Sequence, residues 1–302
     1  MVKLVSVIIP SYGGADFLTR CVDSVLSQTY KQIEVVVVDD NGLDTPMHRK
    51  TAEVMQKYAN DDRVKYVCHE KNINGSAARN TGVKNAKGEY IALMDDDDIF
   101  YPEKIERQVR LMDSLPEKFG ATYCACDIYH NGIKVGESCV SKSGDILYEC
   151  LSNMVQMAST SLLIRKSAYV AIGGFDESFS RHQDWEFRAR LAAKYHFLAE
   201  NFIGFRRILE FRNSLKTPEI YKERREYYLK AMEPLISTLP VRQQKEIYVN
   251  HRMEVALMFF KHKKYMAFIK EILCTKQVPA CLKFLMNRVL LIFKRGKLRM
   301  ID

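Results

Sequence analysis

The sequence has no uninterrupted apolar run of 18 residues along its 302 residues, so no segment reads as a membrane-spanning helix. The stretch Met1 to Ile9 is largely apolar, but it is too short for a secretory leader and runs straight into fold-like sequence. It reads as a first strand, and the expected location is cytoplasmic. None of the eight cysteines stands in a Cys-x-x-Cys unit, which leaves no zinc-site signature. Cys124 and Cys126 alternate along an expected strand and read as reduced thiols. Tryptophan occurs once, at Trp185, where the default role is core packing. No recognisable nucleic-acid module accompanies the basic residues, so nucleic acid is not an expected partner.

What remains is a chain that is 47% hydrophobic and 27% charged, enough for a substantial core in one large or two smaller domains. The net charge of +9 is unevenly spread. From Leu215 onward there are 19 Lys and Arg against 8 Asp and Glu, or +11, which leaves −2 for everything before. The anionic partner belongs to the C-terminal third.

The organising stretch is Tyr90-Ile91-Ala92-Leu93-Met94 followed by Asp95-Asp96-Asp97-Asp98. A strand apolar on both faces is typical of a parallel sheet covered by helices, and ligands of such sheets bind outside the carboxyl ends of the strands. Four adjacent carboxylates at that edge read either as a solvated acidic turn or as oxygen ligands for a divalent metal shared with a phosphate. Two earlier strands point to the same edge. Val5 to Ile9 stops at Pro10-Ser11-Tyr12-Gly13-Gly14, a turn that lets backbone approach a ligand, and Ile33 to Val38 stops at Asp39-Asp40. Helices are expected from Asp16 and over roughly Thr45 to Tyr58, with a third strand at Val64 to Cys68. Asn72 to Asn80 then opens a helix with Arg79 in its first turn, either a plain capped helix or an anion site. Pro102 suits the first turn of the next helix.

Beyond this the sheet is expected to become mixed. Ala121 to Tyr129 and Ile133 to Val140 flank an Asn131-Gly132 hairpin turn, and Thr160 to Ile164 reads as a strand. Short helices are expected at Ile146 to Leu151 and Lys166 to Ile172, then a tight loop at Gly173-Gly174-Phe175-Asp176. A helix starts at Arg181 to Glu186, where Asp184 near its N-terminus is open to a capping role. From about Lys216 the chain reads as basic and helical, with helices at Ile247 to Phe260, Met266 to Leu273 and Ala280 to Phe293. These form either a cap on the first domain or an amphipathic contact with an anionic membrane at the inner face of the cell membrane.

Taken together, Ser6 to Tyr12, Glu34 to Asn41, Ala78-Arg79-Asn80, Tyr90 to Asp98, Gly173 to Glu177 and Gln183-Asp184-Trp185-Glu186 resemble the inverting nucleotide-sugar glycosyltransferases of family 2. Order and spacing match over roughly residues 4 to 212. The resemblance implies an α/β fold of GT-A type, a Rossmann-like mixed sheet flanked by helices, over residues 1–214; residues 215–302 carry no matching motif and are expected, from their own pattern, to form a basic helical C-terminal region. It implies a metal-dependent inverting transfer from a nucleotide-diphosphate sugar, UDP foremost, to a saccharide or lipid-linked acceptor in surface polysaccharide or glycan synthesis.

Carried over residue by residue, Pro10, Ser11 and Tyr12 line the nucleotide pocket. Asp40 bonds the uracil edge, and Arg79 contacts the nucleotide. Asp95 and Asp96 lie near ribose and metal, and Asp97 coordinates Mn²⁺ or Mg²⁺ as the last carboxylate of an Asp-x-Asp motif whose register is open by one residue. Asp184 is the general base. Arg206, Arg207, Arg212 and Lys216 fall in a segment resembling a flexible loop that closes over the diphosphate. The Gln-x-x-Arg-Trp motif of processive members is missing, which implies single additions. Two rivals are a non-catalytic sugar-nucleotide scaffold and a sugar-nucleotide nucleotidyltransferase. The latter needs basic residues in its phosphate loop, yet no Lys or Arg falls between Pro10 and Arg20.

Overall fold

The computed structural model describes residues 2–179, 181–209 and 217–294, with side chains described as far as residue 286. Two compact units emerge. The first comprises Met1–Ile146 and Val155–Leu209; the second comprises Leu147–Met154 and the chain after residue 209.

In the first unit the chain runs β1 (Val5–Ser11), α1 (Ala15–Leu26), β2 (Ile33–Asp39), α2 (Pro46–Gln56), β3 (Val64–Cys68), α3 (Gly75–Asn85), β4 (Tyr90–Leu93), β5 (Ile99–Phe100), α4 (Lys104–Ser114), β6 (Phe119–His130) and β7 (Ile133–Glu137). Helix α5 (Leu147–Leu151) belongs to the second unit. After it come β8 (Leu162–Arg165), α6 (Lys166–Ala171), α7 (Gln183–Ala192) and β9 (His196–Ile208). The sheet order is β3-β2-β1-β4-β8-β6-β9-β5, with β7 paired to β6. Strands β3, β2, β1 and β4 are parallel, β8 runs antiparallel between β4 and β6, and β6 and β9 are parallel. The expected mixed sheet is therefore present.

The continuous β-branched runs of β1 and β2 are buried on both faces because both are covered. Val5, Val7, Ile9, Val35 and Val37 pack with Leu18, Val22 and Val25 of α1 and with Ile105, Val109 and Met112 of α4 in one core. On the opposite face α3 lies close against β1. A Cβ on Gly82 would stand 2.3 Å from Ile8 Cγ2, so only glycine admits that approach. The hairpin turn is as expected, with Asn131 and Gly132 both at positive φ, the conformation a tight two-residue hairpin requires. No disulfide joins any of the eight cysteines.

The second unit is helical: α5, α8 (Pro218–Ile236), α9 (Val241–Lys261), α10 (Tyr265–Cys274) and α11 (Val278–Lys294). His251 Nε2 donates to the Leu151 carbonyl at 2.8 Å and Tyr148 donates to Glu246 at 2.8 Å, which ties residues 147–154 to α9. That excursion was not expected from chain order, and the expected boundary at 214/215 lies outside the described residues. No helix among the described residues is long and apolar enough to cross a membrane.

Candidate active site

The order β3-β2-β1-β4 reverses direction at β1, since β2 and β3 build to one side and β4 to the other. Ligands bind at such a switch point, beyond the carboxyl ends. There, Ser11 is in register with Asp39, and Met94 N donates to the Ile8 carbonyl at 3.0 Å. All three polar strand ends therefore open onto one edge.

The four aspartates divide in two. Asp96 and Asp98 are buried, whereas Asp95 and Asp97 reach solvent. Ser11 Oγ donates to Asp96 Oδ2 at 3.1 Å across the switch point. Asp98 accepts from Thr160 Oγ1 at 2.6 Å and from the Ile208 backbone N–H at 3.1 Å, which fastens the turn to β9. Burial, and after it the charges of Asp95 and Asp97, push the Asp98 carboxyl well above the usual carboxylate range, against the opposing pull of Thr160 and Arg207. Burial and the same four carboxylates also push up the Cys21 thiol. The turn thus presents Asp95 and Asp97 in a field of surplus negative charge. Hard oxygen donors under mutual repulsion fit Mg²⁺ or Mn²⁺.

Arg79 supplies the facing cation. Its Nη2 donates to Asp95 Oδ1 at 2.7 Å and its Nη1 to the Gly75 carbonyl at 3.2 Å. Arg79 Nε is buried without a hydrogen-bond partner among the described residues, an arrangement that calls for a ligand or water. Helix α3 begins at Gly75, with Asn74 accepting from Ala77 N at its N-cap. Arg79 therefore lies in the second turn rather than the first, and its guanidinium folds back to the helix start.

Asp39 and Asp40 have different duties. Asp39 is fully buried and accepts from Asn41 N, Asn41 Nδ2, His48 Nδ1 and Tyr66 OH at 2.5–2.9 Å. Cys68 Sγ lies close by, within 4.8 Å of the Asp39 and His48 ligand atoms, but that carboxylate's acceptor positions are already taken. Asp40 accepts from His69 Nδ1 (2.7 Å), Ile73 N (2.9 Å) and Asn72 Nδ2 (2.9 Å). One acceptor position on its Oδ2 remains, and its main effect is to shape the 69–73 loop.

Asn80 explains the third residue of the Ala-Arg-Asn motif. Its Oδ1 accepts from Tyr169 OH and Phe175 N at 2.7 and 2.9 Å, while its Nδ2 donates to Phe175 O and Glu177 at 2.9 and 2.8 Å. Gly173 and Gly174, both at positive φ, turn the chain around it; a Cβ on Gly174 would lie 2.6 Å from Asn80 Oδ1. The buried Glu186 pairs with Arg190, which also donates to the Ile172 and Gly174 carbonyls. These bonds lock the glycine turn to α7. Asp184, in the first turn of α7, is 36% exposed and lies 3.8 Å from Arg188 Nη2. Its neighbour Gln183 reaches the Arg79 side: a Cβ on Gly75 would be 3.3 Å from Gln183 Nε2 and 3.0 Å from Arg79 Nη1.

Of the expected pocket residues, Tyr12 is exposed, Pro10 is partly buried and Ser11 is fully buried, where it positions Asp96. Both Pro10 and Ser11 extend β1 beyond its expected end at Ile9. Two expectations are overturned. Arg206 and Arg207 belong to β9, paired with Asp127 and Ile128 of β6, not to a loop; Arg212 and Lys216 lie outside the described residues. Trp185 is not a core residue: it is partly exposed and stacked on His182 at 3.9 Å, while Phe187 and Leu191 fill the buried face of α7. Thr160 and Asn80 carry anchoring roles that only their partners reveal, although the small-residue motif around Asn80 flagged its neighbourhood.

The family model of glycosyl transferase family 2 matches residues 6–135. An uncharacterized glycosyltransferase of Rickettsia typhi is 35% identical over 190 residues, covering 61% of this chain and 57% of that protein. The chain thus spans little more than half the length of that relative. The amylovoran biosynthesis glycosyltransferase AmsB of Erwinia amylovora is 27% identical over 239 residues, covering 76% and 77%. Among solved structures, S. aureus TarS 1-349 in complex with UDP-GlcNAc superposes with a TM-score of 0.62 at 21% identity, over 81% of this chain and 70% of that one. The mannosyltransferase PcManGT from Pyrobaculum calidifontis, in complex with GDP-Man and Mn²⁺, gives 0.61 at 15% identity, over 96% and 81%. The mixed sheet and its flanking helices share the GT-A fold with these structures, and residues 6–135 match the family model of glycosyl transferase family 2.

Proposed function

We propose that the chain is a metal-dependent inverting glycosyltransferase that moves a sugar from a nucleoside-diphosphate donor, UDP-sugar foremost, to a hydroxyl of a saccharide or lipid-linked acceptor in polysaccharide synthesis. The observation that carries this reading is the division of the aspartate turn at the switch point, with Asp96 and Asp98 fastened inward, Asp95 bonded to Arg79 and Asp97 partly exposed. Asp97, with Asp95, would hold Mn²⁺ or Mg²⁺, which neutralises the leaving diphosphate when bound. Arg79 adds a buried positive charge on the same side. Pro10, Tyr12 and the loop shaped by Asp40 form the nucleotide end, with Ser11 holding Asp96 in place behind them.

Transfer is a single displacement. The acceptor oxygen bonds to the anomeric carbon from the face opposite the leaving group, the bond from that carbon to the diphosphate oxygen breaks, and configuration inverts. Asp184 takes the proton from the acceptor hydroxyl as it attacks, and its partial exposure leaves it accessible to that hydroxyl. The bound nucleotide sugars of the TarS and PcManGT structures, and the biosynthetic role in the name of AmsB, support the substrate class. The proposed peripheral membrane contact is assigned to the basic helical unit.

The deciding experiment is thermal unfolding with UDP, dTDP, GDP and CDP, each with and without Mn²⁺. A ligand that binds only the folded state raises its stability with the logarithm of saturation. A large shift with UDP that requires metal is the expected result. No shift with any nucleotide in the presence of metal would sink the proposal, and a shift confined to GDP would overturn the UDP assignment.

A further inference from the structure

Helices α10 and α11 carry a face for which the transfer reaction has no use. On α10, Met266 (80% exposed), Ile269 and Leu273 follow one another at i, i+3 and i+7, and on α11, Val278, Leu282 and Met286 follow at i, i+4 and i+8. All six are exposed large apolar side chains. Spacing of this kind draws a single stripe along each helix. At the corner before α10, Phe260 and Tyr265 are about half exposed and meet edge-on at 5.6 Å. Exposed apolar side chains clustered in this way mark protein–protein or membrane interaction sites.

The exposed charges within this stretch of the sequence are of one sign. Between Phe260 and Met286 the exposed charged side chains are Lys261, Lys263, Lys264, Lys270, Lys276 and Lys283. The only carboxylate in this span, Glu271, is 4% exposed and turned inward to Lys222 and Arg252. Lys264 also bonds Glu219, and the others flank the apolar stripes. A second copy of the same face would bring lysines against lysines, because an isologous contact pairs a patch with itself. A negatively charged lipid surface satisfies both features: acyl chains take the apolar stripes and anionic headgroups take the lysines. The aromatic pair suits the headgroup level, where amphipathic rings collect.

We infer that the α10–α11 face is a membrane-docking surface that seats Met266, Ile269, Leu273, Leu282 and Met286 in the interfacial layer of an anionic leaflet. This deepens the membrane-contact reading above and is independent of the nucleotide chemistry, so either can fail alone. The test is co-sedimentation of the full chain with phosphatidylcholine vesicles, with and without phosphatidylglycerol. Binding is expected only with the anionic lipid and is expected to weaken as salt rises.

The variant Met266→Ser/Leu273→Ser and the charge reversal Lys263→Glu/Lys270→Glu/Lys276→Glu should each reduce binding about tenfold or more, since each removes one of the two attractions. Their melting temperatures and sedimentation velocity without lipid control for folding and self-association. Absence of binding to anionic vesicles overturns the inference, as does equal binding to neutral ones or binding that neither variant weakens. A concentration-dependent dimer that Met266→Ser/Leu273→Ser abolishes would reassign the face to a second copy.

Discussion

The aspartate turn of the first unit and the lysine-flanked helices of the second carry dense charge of opposite sign, and they treat it in opposite ways. Asp95 to Asp98 lie at the end of a buried strand, and the fold binds half of them inward through Ser11, Thr160 and the Ile208 N–H. The lysines around α10 and α11 lie outward beside exposed apolar residues. A charge held by fixed donors can act on one atom of a bound ligand, because its position is set before the ligand arrives. A charge on a flexible exposed stem acts on a surface, where the summed field matters more than any one placement. The two regions suit a small-molecule site and a docking face respectively.

The contrast is sharpest at Asp184. If positioned carboxylates act one by one, Asp184→Asn should lower transfer by roughly 10²–10⁴-fold and leave the metal-dependent thermal shift with nucleotide in place. Retained transfer would break the comparison, since the carboxylate would then be an exposed helix-end charge like any other. Assay of sugar transfer beside thermal unfolding of the same variant separates these results.

Lys104 tests whether the first unit fixes cations in the same way. It is fully buried, donates to Gln108 at 2.8 Å and lies 4.2 Å from the centre of the Phe100 ring. Burial lowers its pKa from 10.5 to about 8. At this group the folded chain therefore binds fewer protons than the unfolded chain between those values, and its contribution to stability should rise as pH increases through that window, by up to about 3 kcal/mol, read as the difference from the variant. In Lys104→Met this contribution should disappear, so stability should fall more steeply, or rise less, between neutral and alkaline pH than in the parent protein. Urea unfolding of both proteins at neutral and alkaline pH gives the difference, and an unchanged slope would show that the lysine is hydrated.

A smaller effect is expected at Gly14, where an added Cβ would lie 1.7 Å from Asp96 Oδ2. Gly14→Ala should push that carboxylate off Ser11 and cost about 1–3 kcal/mol, the usual range for overpacking. Denaturant unfolding reads the cost. A neutral result would mean that Asp96 moves freely and that the inward pair is not held. Smallest of all, Lys270→Glu and Lys276→Glu should change stability by no more than about 0.5 kcal/mol, as exposed substitutions do, although they belong to a set expected to weaken lipid binding.

Much of the sheet was legible because β1, β2 and β4 are short apolar runs ending in polar residues, and the Asn131-Gly132 turn announces its hairpin. Strand β9 was not. His196–Ile208 carries Glu200 and Asn201 in mid-strand, and its pairing with β6 shifts register near Cys124 to Cys126. Neither apolar continuity nor clean alternation marks it, and its stability comes from a partner almost eighty residues earlier in the sequence. Trp185 misled for a related reason: aromatic bulk predicts burial on average, but the face of α7 that turns inward is set by Phe187 and Leu191.

The sequence by itself determined that three strand ends would be polar, that Arg79 and Asp184 would stand near helix starts, and that basic charge would collect after residue 215. These follow from local patterns in which period, turn residues and charge are read within a few positions. Tertiary structure alone decided which aspartates face inward, since four identical side chains are distinguished by partners such as Ser11 from one strand, Thr160 from a distant turn and the β9 backbone. It likewise assigned Asn80 to the Gly173-Gly174 turn and residues 147–154 to the helical unit. Each of these rests on hydrogen bonds between residues far apart in the chain, where the cost of leaving a buried polar group unpaired selects the partner.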